Sequence, residues 1–300
     1  MKNKDISEIY VSTTFARDGS KISDVLKSLN SIGILNLELG SNHCYEDLID
    51  ISSDFLKFNT LVHNYFPIPK HPFVINIASS DLEIRSKSIG HVMKALEFCL
   101  ESKSTLYTFH PGFLQDPLGA GRSPQNYDFN WGDMQSDFCE NLYQKSFDFM
   151  VDSLNVIIER ARLLGVEIAI ETEGSYRKAE NLLMQRPEEF EKLFALFTKK
   201  DLGINLNIGH LPLASRYFNF KINDFVDLVA DRIVAFELSH NDGYDDQHLP
   251  LVDNAWYWEI ILDKRFSGIK KILEFRETDI SIVRDNYSLC KQKISQSYQT

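Results

Sequence analysis

Short runs of apolar and β-branched residues recur along the whole chain, and most precede a longer stretch whose apolar positions fall three and four apart. The runs are EIYVST (8–13), ILNLELG (34–40), TLVHNYF (60–66), TLYTFHPG (105–112), VEIAIETEG (166–174), LGINLNIGH (202–210), RIVAFELSHNDG (232–243) and IKKILEFRE (269–277). Their near-continuous apolar character predicts strands buried on both faces, as in a parallel sheet. Between them, KISDVLKSLNSIG (21–33), IRSKSIGHVMKALEFCLES (84–102), YQKSFDFMVDSLNVIIERARLLG (143–165) and RPEEFEKLFALFTKK (186–200) have helical periodicity, and three of the four end near Gly or Lys. Eight such units in succession, with no linker or composition break, predict one (β/α)8 barrel domain over residues 1–300.

Two stretches break the pattern. QDPLGAGRSPQNYDFNWGDMQSDF (115–138) is a long insertion rich in Gly, Pro and Asn after the fourth strand, and NDGYDDQHLPLVDNAWYW follows the seventh. Loops of this length in a compact domain usually serve function, and the first is expected to act as a lid over substrate. The aromatic NAWYWEI (254–260) is expected to pack into the core, with a dimer contact or a substrate wall as the alternatives.

Composition narrows the possible partners. The formal charge is −11, so the average surface repels phosphate backbones and anionic membranes, and nucleic acid is not an expected partner. Cys44, Cys99, Cys139 and Cys290 lie far apart with no C-x-x-C spacing, which fits reduced thiols in a cytoplasmic protein. The opening MKNKDISEIYVSTTF has no apolar run of signal-peptide length, and no segment approaches the ~18 apolar residues of a membrane helix.

In a (β/α)8 barrel, reactive residues sit where strands run into the loops that follow them. The strand ends here carry Glu38, His63, His110, Glu171, Asn207 with His210, Glu237 with His240, and Glu274. Any one of these alone is most simply a hydrogen-bonded polar residue, but their recurrence around the ring is not. Glu171 and Glu274 directly follow apolar runs and should point toward the barrel axis, where an unpaired carboxylate costs several kcal/mol. A divalent cation is the simplest compensation. Carboxylates, an amide and imidazoles suit Mn2+, Mg2+, Co2+ or Zn2+, with no thiolate to enforce zinc.

The arrangement resembles the xylose-isomerase-like barrels, which include sugar and sugar-phosphate isomerases, ketose 3-epimerases and metal-dependent abasic-site endonucleases. The segments that carry the likeness are LVHNYF, TFHPG, IAIET, LNIGH, SHNDGYDDQHLPL and ILEF, six in the family's order across nearly the whole chain. An epimerase-type site carried over from this resemblance places one metal on Glu171, Asn207, Glu237 and Glu274. Asn207 stands where the family has Asp, Glu237 where it has His, and His240 where it has Asp.

In the related epimerases two glutamates hold the metal and also move a proton beside the substrate carbonyl, which the resemblance assigns to Glu171 and Glu274. His63, His110 and His210 would then contact substrate, with Arg276 holding an anionic group or forming a salt bridge. Asp246 and His248 match a pair that binds an additional metal in the endonuclease branch and organises the loop elsewhere, the second role being preferred. The expectation is a cytoplasmic isomerase or epimerase acting on a small sugar or sugar phosphate, with a homodimer implied only by the resemblance. The alternatives are an endonuclease-like phosphodiesterase, opposed by the acidic loops, and a barrel that binds a sugar without catalysis.

Overall fold

A computed structural model describes residues 8–48, 54–117, 140–175 and 181–297. The expected lid loop falls almost wholly outside these residues, as does Cys139; Cys44, Cys99 and Cys290 are free thiols. Eight parallel strands close on themselves in chain order: β1 (Ile9–Ser12), β2 (Asn36–Leu39), β3 (Asn59–His63), β4 (Leu106–Phe109), β5 (Glu167–Glu171), β6 (Gly203–Asn207), β7 (Ile233–Leu238) and β8 (Lys270–Leu273), with β8 paired to β1. The (β/α)8 barrel expected from the alternating pattern is therefore the fold.

The helices are α1 (Ile22–Ser31), α2 (Leu82–Ser102), α3 (Glu140–Leu164), α4 (Pro187–Leu196), α5 (His210–Phe218), α6 (Ile222–Val229), the one-turn α7 (Trp258–Ile261) and α8 (Ile280–Ser297). Asp81 caps α2 by accepting from the backbone amides of Glu83 and Ile84. None of these helices is long and apolar enough to cross a membrane.

Strand alternation divides the barrel into two cores. Outward side chains such as Val11, Leu37, Val62, Tyr107, Ile170, Leu206, Phe236 and Leu273 join the helices in one large apolar cluster. Inward side chains Tyr10, Leu61, Leu106, Ala169, Ala235 and Ile272 form a separate small cluster that fills the barrel floor. Two residues further along the same six strands stand Ser12, His63, Thr108, Glu171, Glu237 and Glu274, all buried. A two-residue step returns each chain to the inner face, so the layer above the apolar floor is polar throughout these strands.

The strands are shorter than the apolar runs. β7 ends at Leu238 although its run extends to Gly243, and β8 ends at Leu273. His210 opens α5 instead of ending a strand. In the β7 loop, the backbones of His240 and Leu249 exchange two hydrogen bonds of 2.8 Å, closing 241–248 into a compact turn. Of the aromatic run that follows, Tyr257 and Trp258 are buried and Trp256 is 40% exposed, so the core packing expected there holds for two of its three aromatic residues.

Candidate metal and acid–base site

The polar layer gathers ionisable and amide side chains at the C-terminal end of the strands. Glu237 sits at its centre, fully buried. Its Oε1 accepts from the Asn205 amide at 2.6 Å, its Oε2 accepts from Asn207 at 3.0 Å, and His63 Nδ1 lies 3.4 Å from Oε1. Glu171 is equally buried: Oε1 accepts from Asn207 at 2.8 Å and lies 3.3 Å from His210 Nδ1, whereas Oε2 has no hydrogen-bond partner and faces His63 Nε2 at 3.7 Å and His110 Nδ1 at 3.6 Å.

On the other side of the mouth, Glu274 Oε2 lies 2.9 Å from His248 Nδ1, outside hydrogen-bonding geometry for either atom. Asp246 completes that side. It lies 2.9 Å from His248 Nε2 and 3.5 Å from His210 Nε2, and the Arg276 guanidinium grips it through a side-chain oxygen at 2.9 Å and its backbone carbonyl at 3.0 Å. His248 adopts a left-handed backbone (φ 47°), uncommon for a residue with a Cβ and typical of places where surrounding contacts impose the conformation.

The environments drive the ionisable groups apart. Burial, reinforced by the Glu237, Glu173 and Glu274 carboxylates, pushes Glu171 well above the usual carboxylate range. Burial with Glu237 and Glu274 does the same to Glu38, whose two oxygens lack a hydrogen-bond partner, the Ser12 hydroxyl acting weakly in the opposite direction. Burial and Glu274 raise Glu237 to about 7. For Glu274, burial also acts upward, but His248, His63 and Arg276 outweigh it and hold the group at about 2. Burial lowers His63 to about 3, whereas at His210 the Asp246 and Glu173 carboxylates overcome burial and raise the imidazole to about 9.

Three groups of side chains bring one ligand atom each within 4.8 Å of one another: His63–His110–Glu171, His210–Asp246–His248 and Glu38–His63–Glu237. The first two are imidazole-rich sets bounded by buried oxygens without hydrogen-bond partners, Glu171 Oε2 and Asp246 Oδ1. An orphaned buried carboxylate oxygen beside imidazole nitrogens is what a divalent ion would complete, so the donors fit such an ion.

The donors do not assemble as the sequence implied. Asn207 was expected to lend a carbonyl oxygen to a metal, but its Oδ1 accepts the backbone amides of Gly209 (2.9 Å) and His210 (3.2 Å), leaving the NH2 to face the carboxylates. Turning the amide over would set its NH2 against two N–H groups, so the hydrogen-bond network fixes this orientation. Arg276 is committed to Asp246, and the described contacts of His240 are with Leu249 and the Tyr257 ring, away from the carboxylates.

Four participants went unnoticed as site residues in the sequence: Ser12, Thr108, Glu173 and Asn205. Thr108 bonds His63 Nδ1 at 2.9 Å and Glu173 holds His110 Nδ1 at 2.6 Å. Ser12, Thr108 and Asn205 share the inward phase of residues that were recognised, and Glu173 lies one two-residue step beyond Glu171, so counting by twos would have found them.

Residues 51–292 match the family model of the xylose isomerase-like TIM barrel, and the chain belongs to that family. An uncharacterized protein of Methanocaldococcus jannaschii is 26% identical over 244 residues, 81% of each chain. A Persephonella marina protein named "Probable endonuclease 4" is 27% identical over 159 residues, 53% of this chain and 45% of that one. Among solved structures, a D-tagatose 3-epimerase-like protein superposes with a TM-score of 0.72 at 19% identity, covering 97% of this chain and 98% of its own.

Proposed function

We propose that this barrel is a divalent-metal-dependent isomerase or epimerase that moves a proton at a carbon next to the carbonyl of a small sugar or sugar phosphate. The observation that carries the reading is the disposition of Glu171 and Glu274. They stand on β5 and just past β8, each buried and each with one oxygen lacking a hydrogen-bond partner. Their surroundings push the two carboxyls in opposite directions, one toward the neutral acid and one toward the anion. Such a pair can take a proton from one carbon and deliver one back.

The residues that would hold the ion are His63, His110 and Glu171 on one side and His210, Asp246, His248 and Glu274 on the other. A bound divalent ion supplies electrophilic polarisation of the substrate carbonyl. The chain does the remainder. Asn207 fixes Glu171 with one oxygen free, His248 keeps Glu274 anionic, and Glu173 orients the His110 ring. The half-open flank of the site is formed by the side chains of His110 (31% exposed) and Asp246 (27%). Hydroxyl-rich ligands suit this lining of amides, imidazoles and carboxylates, and the fold is that of a D-tagatose 3-epimerase-like protein.

A second reading, a metal-dependent phosphodiesterase, is favoured by the two histidine-rich groups and the likeness to a probable endonuclease 4. One experiment separates the two. Purified protein is analysed for metals and incubated with ketoses and their phosphates in D2O, beside Glu171→Gln and Glu274→Gln variants. The first reading expects deuterium to enter beside the carbonyl, with the rate lowered by about 10²–10⁴ in each variant. Absence of exchange together with cleavage of abasic-site DNA would replace it by the second.

A further inference from the structure

We propose that the Asn207 amide takes the place of a cation between Glu171 and Glu237, and so sets how many metal ions the barrel mouth can hold. This inference rests on the reading of the mouth as a metal site.

The three residues lie on consecutive strands. Asn207 ends β6, Glu171 ends β5, and Glu237 pairs in register with Asn207 on β7. All are essentially without exposure, at 0%, 1% and 0%. The single NH2 of Asn207 donates to Glu171 Oε1 at 2.8 Å and to Glu237 Oε2 at 3.0 Å, so both of its hydrogens are used on carboxylates. A neutral donor bridging two buried carboxylates does the task otherwise given to a positive ion: it lets two acceptors approach where water cannot enter. It also occupies the space such an ion needs.

The opposite end of the same side chain prevents it from acting as a ligand. Asn207 Oδ1 accepts the amides of Gly209 and His210 at the start of α5. Glu237 is correspondingly spoken for: Asn205 holds its other oxygen at 2.6 Å. The unpartnered carboxylate oxygens of the mouth, Glu171 Oε2, Asp246 Oδ1, Glu274 Oε2 and both of Glu38, are not atoms of this bridge. On this account metal ions are confined to the His63–His110–Glu171 and His210–Asp246–His248 groups, and the Asn207–Glu237 link is a hydrogen-bonded wall between β6 and β7.

Asn207→Asp tests the assignment because it changes the bridge while keeping the scaffold. Asp has nearly the same volume and retains an oxygen to cap α5, but it sets a third carboxylate oxygen against Glu171 and Glu237. Three buried carboxylates require a cation or protonation.

Wild type and variant are stripped with chelator, reloaded with Zn2+, desalted, and analysed for zinc per chain and for Tm. The expected result is about one more zinc equivalent in Asn207→Asp than in wild type, with a larger zinc-dependent rise in Tm, since a ligand that binds only the folded state stabilises it. The added equivalent should vanish in Asn207→Asp/Glu237→Gln. Equal zinc in wild type and variant would overturn the proposal and leave the metal reading standing, and no zinc in either would overturn both. Glu237→Gln in the wild-type background provides a check free of any folding defect in the Asp variant. It should leave the zinc count unchanged, and a fall would show Glu237 to be a ligand and overturn the proposal.

Discussion

His63 and His210 are both buried imidazoles, yet their surroundings push them in opposite directions, to about 3 and about 9. The difference has a consequence for stability. A group raised in the folded state contributes stability that is present below its unfolded value and lost as pH rises through its folded value. For Glu237 that loss is complete a little above pH 7, and for His210 it runs from about pH 6.5 to about 9. Glu38 and Glu171 are raised as well and act with the same sign. His63 acts oppositely, but only below about pH 6.5, where its unfolded form gains a proton that the folded form refuses. The depressed acids Asp246 and Glu274 matter only at still lower pH. Metal-free protein should therefore lose stability between pH 7 and 9, read as a falling Tm in the presence of chelator; a flat profile over that interval would contradict these shifts. Glu173 offers a second residue-scale test. Because it holds the His110 ring by Nδ1, Glu173→Gln should weaken metal binding by about 10- to 100-fold without unfolding the protein, as measured by competition with a chelating dye.

At the scale of elements, the β5 loop shows how tightly the site is seated. Gly174 lies directly against the first residue of α5, and a Cβ added there would run into the backbone carbonyl of His210. Gly174→Ala must push α5 outward and carry His210 with it. The expected cost is about 1–3 kcal/mol in chemical denaturation, together with weaker metal binding. Asp81→Ala is the contrasting case: loss of the α2 cap should cost about 1 kcal/mol and leave metal affinity untouched, since α2 contributes no site residue.

The same elements show what the sequence could and could not reveal. The strands were legible because parallel strands buried on both faces read as apolar runs, and the order of eight runs and intervening helices forced the barrel. Glu38, His63, Glu171, Glu237 and Glu274 were visible as the polar ends of those runs. Thr108 and Asn205 were not, because a buried Thr or Asn within a strand carries no signal until the inward phase of its neighbours is known. The direction of the Asn207 amide was beyond reach, since it is decided by the amides of Gly209 and His210, which converge on it only once α5 has formed.

For the whole molecule, the division between an apolar floor and a polar mouth separates what holds the fold from what binds. The outer cluster runs from Ile9 to Ile294 and joins strands to helices, and the floor is closed by Tyr10, Leu61, Leu106, Ala169, Ala235 and Ile272, none of which belongs to the candidate site. Burial of that apolar surface does not depend on an ion, unlike small metal domains whose folding free energy is their metal binding. Removal of metal should therefore leave the far-ultraviolet circular dichroism unchanged while lowering Tm. At free metal about 100 times its dissociation constant, the bound form gains about 2.7 kcal/mol, a shift on the order of 5 °C for a chain of this size. Chelation that abolished the helical signal would mean that the cluster of carboxylates is not held by Asn205, Asn207, Arg276 and the histidines alone. The ion would then be part of the architecture, and the apolar floor would be insufficient to keep the barrel closed beneath it.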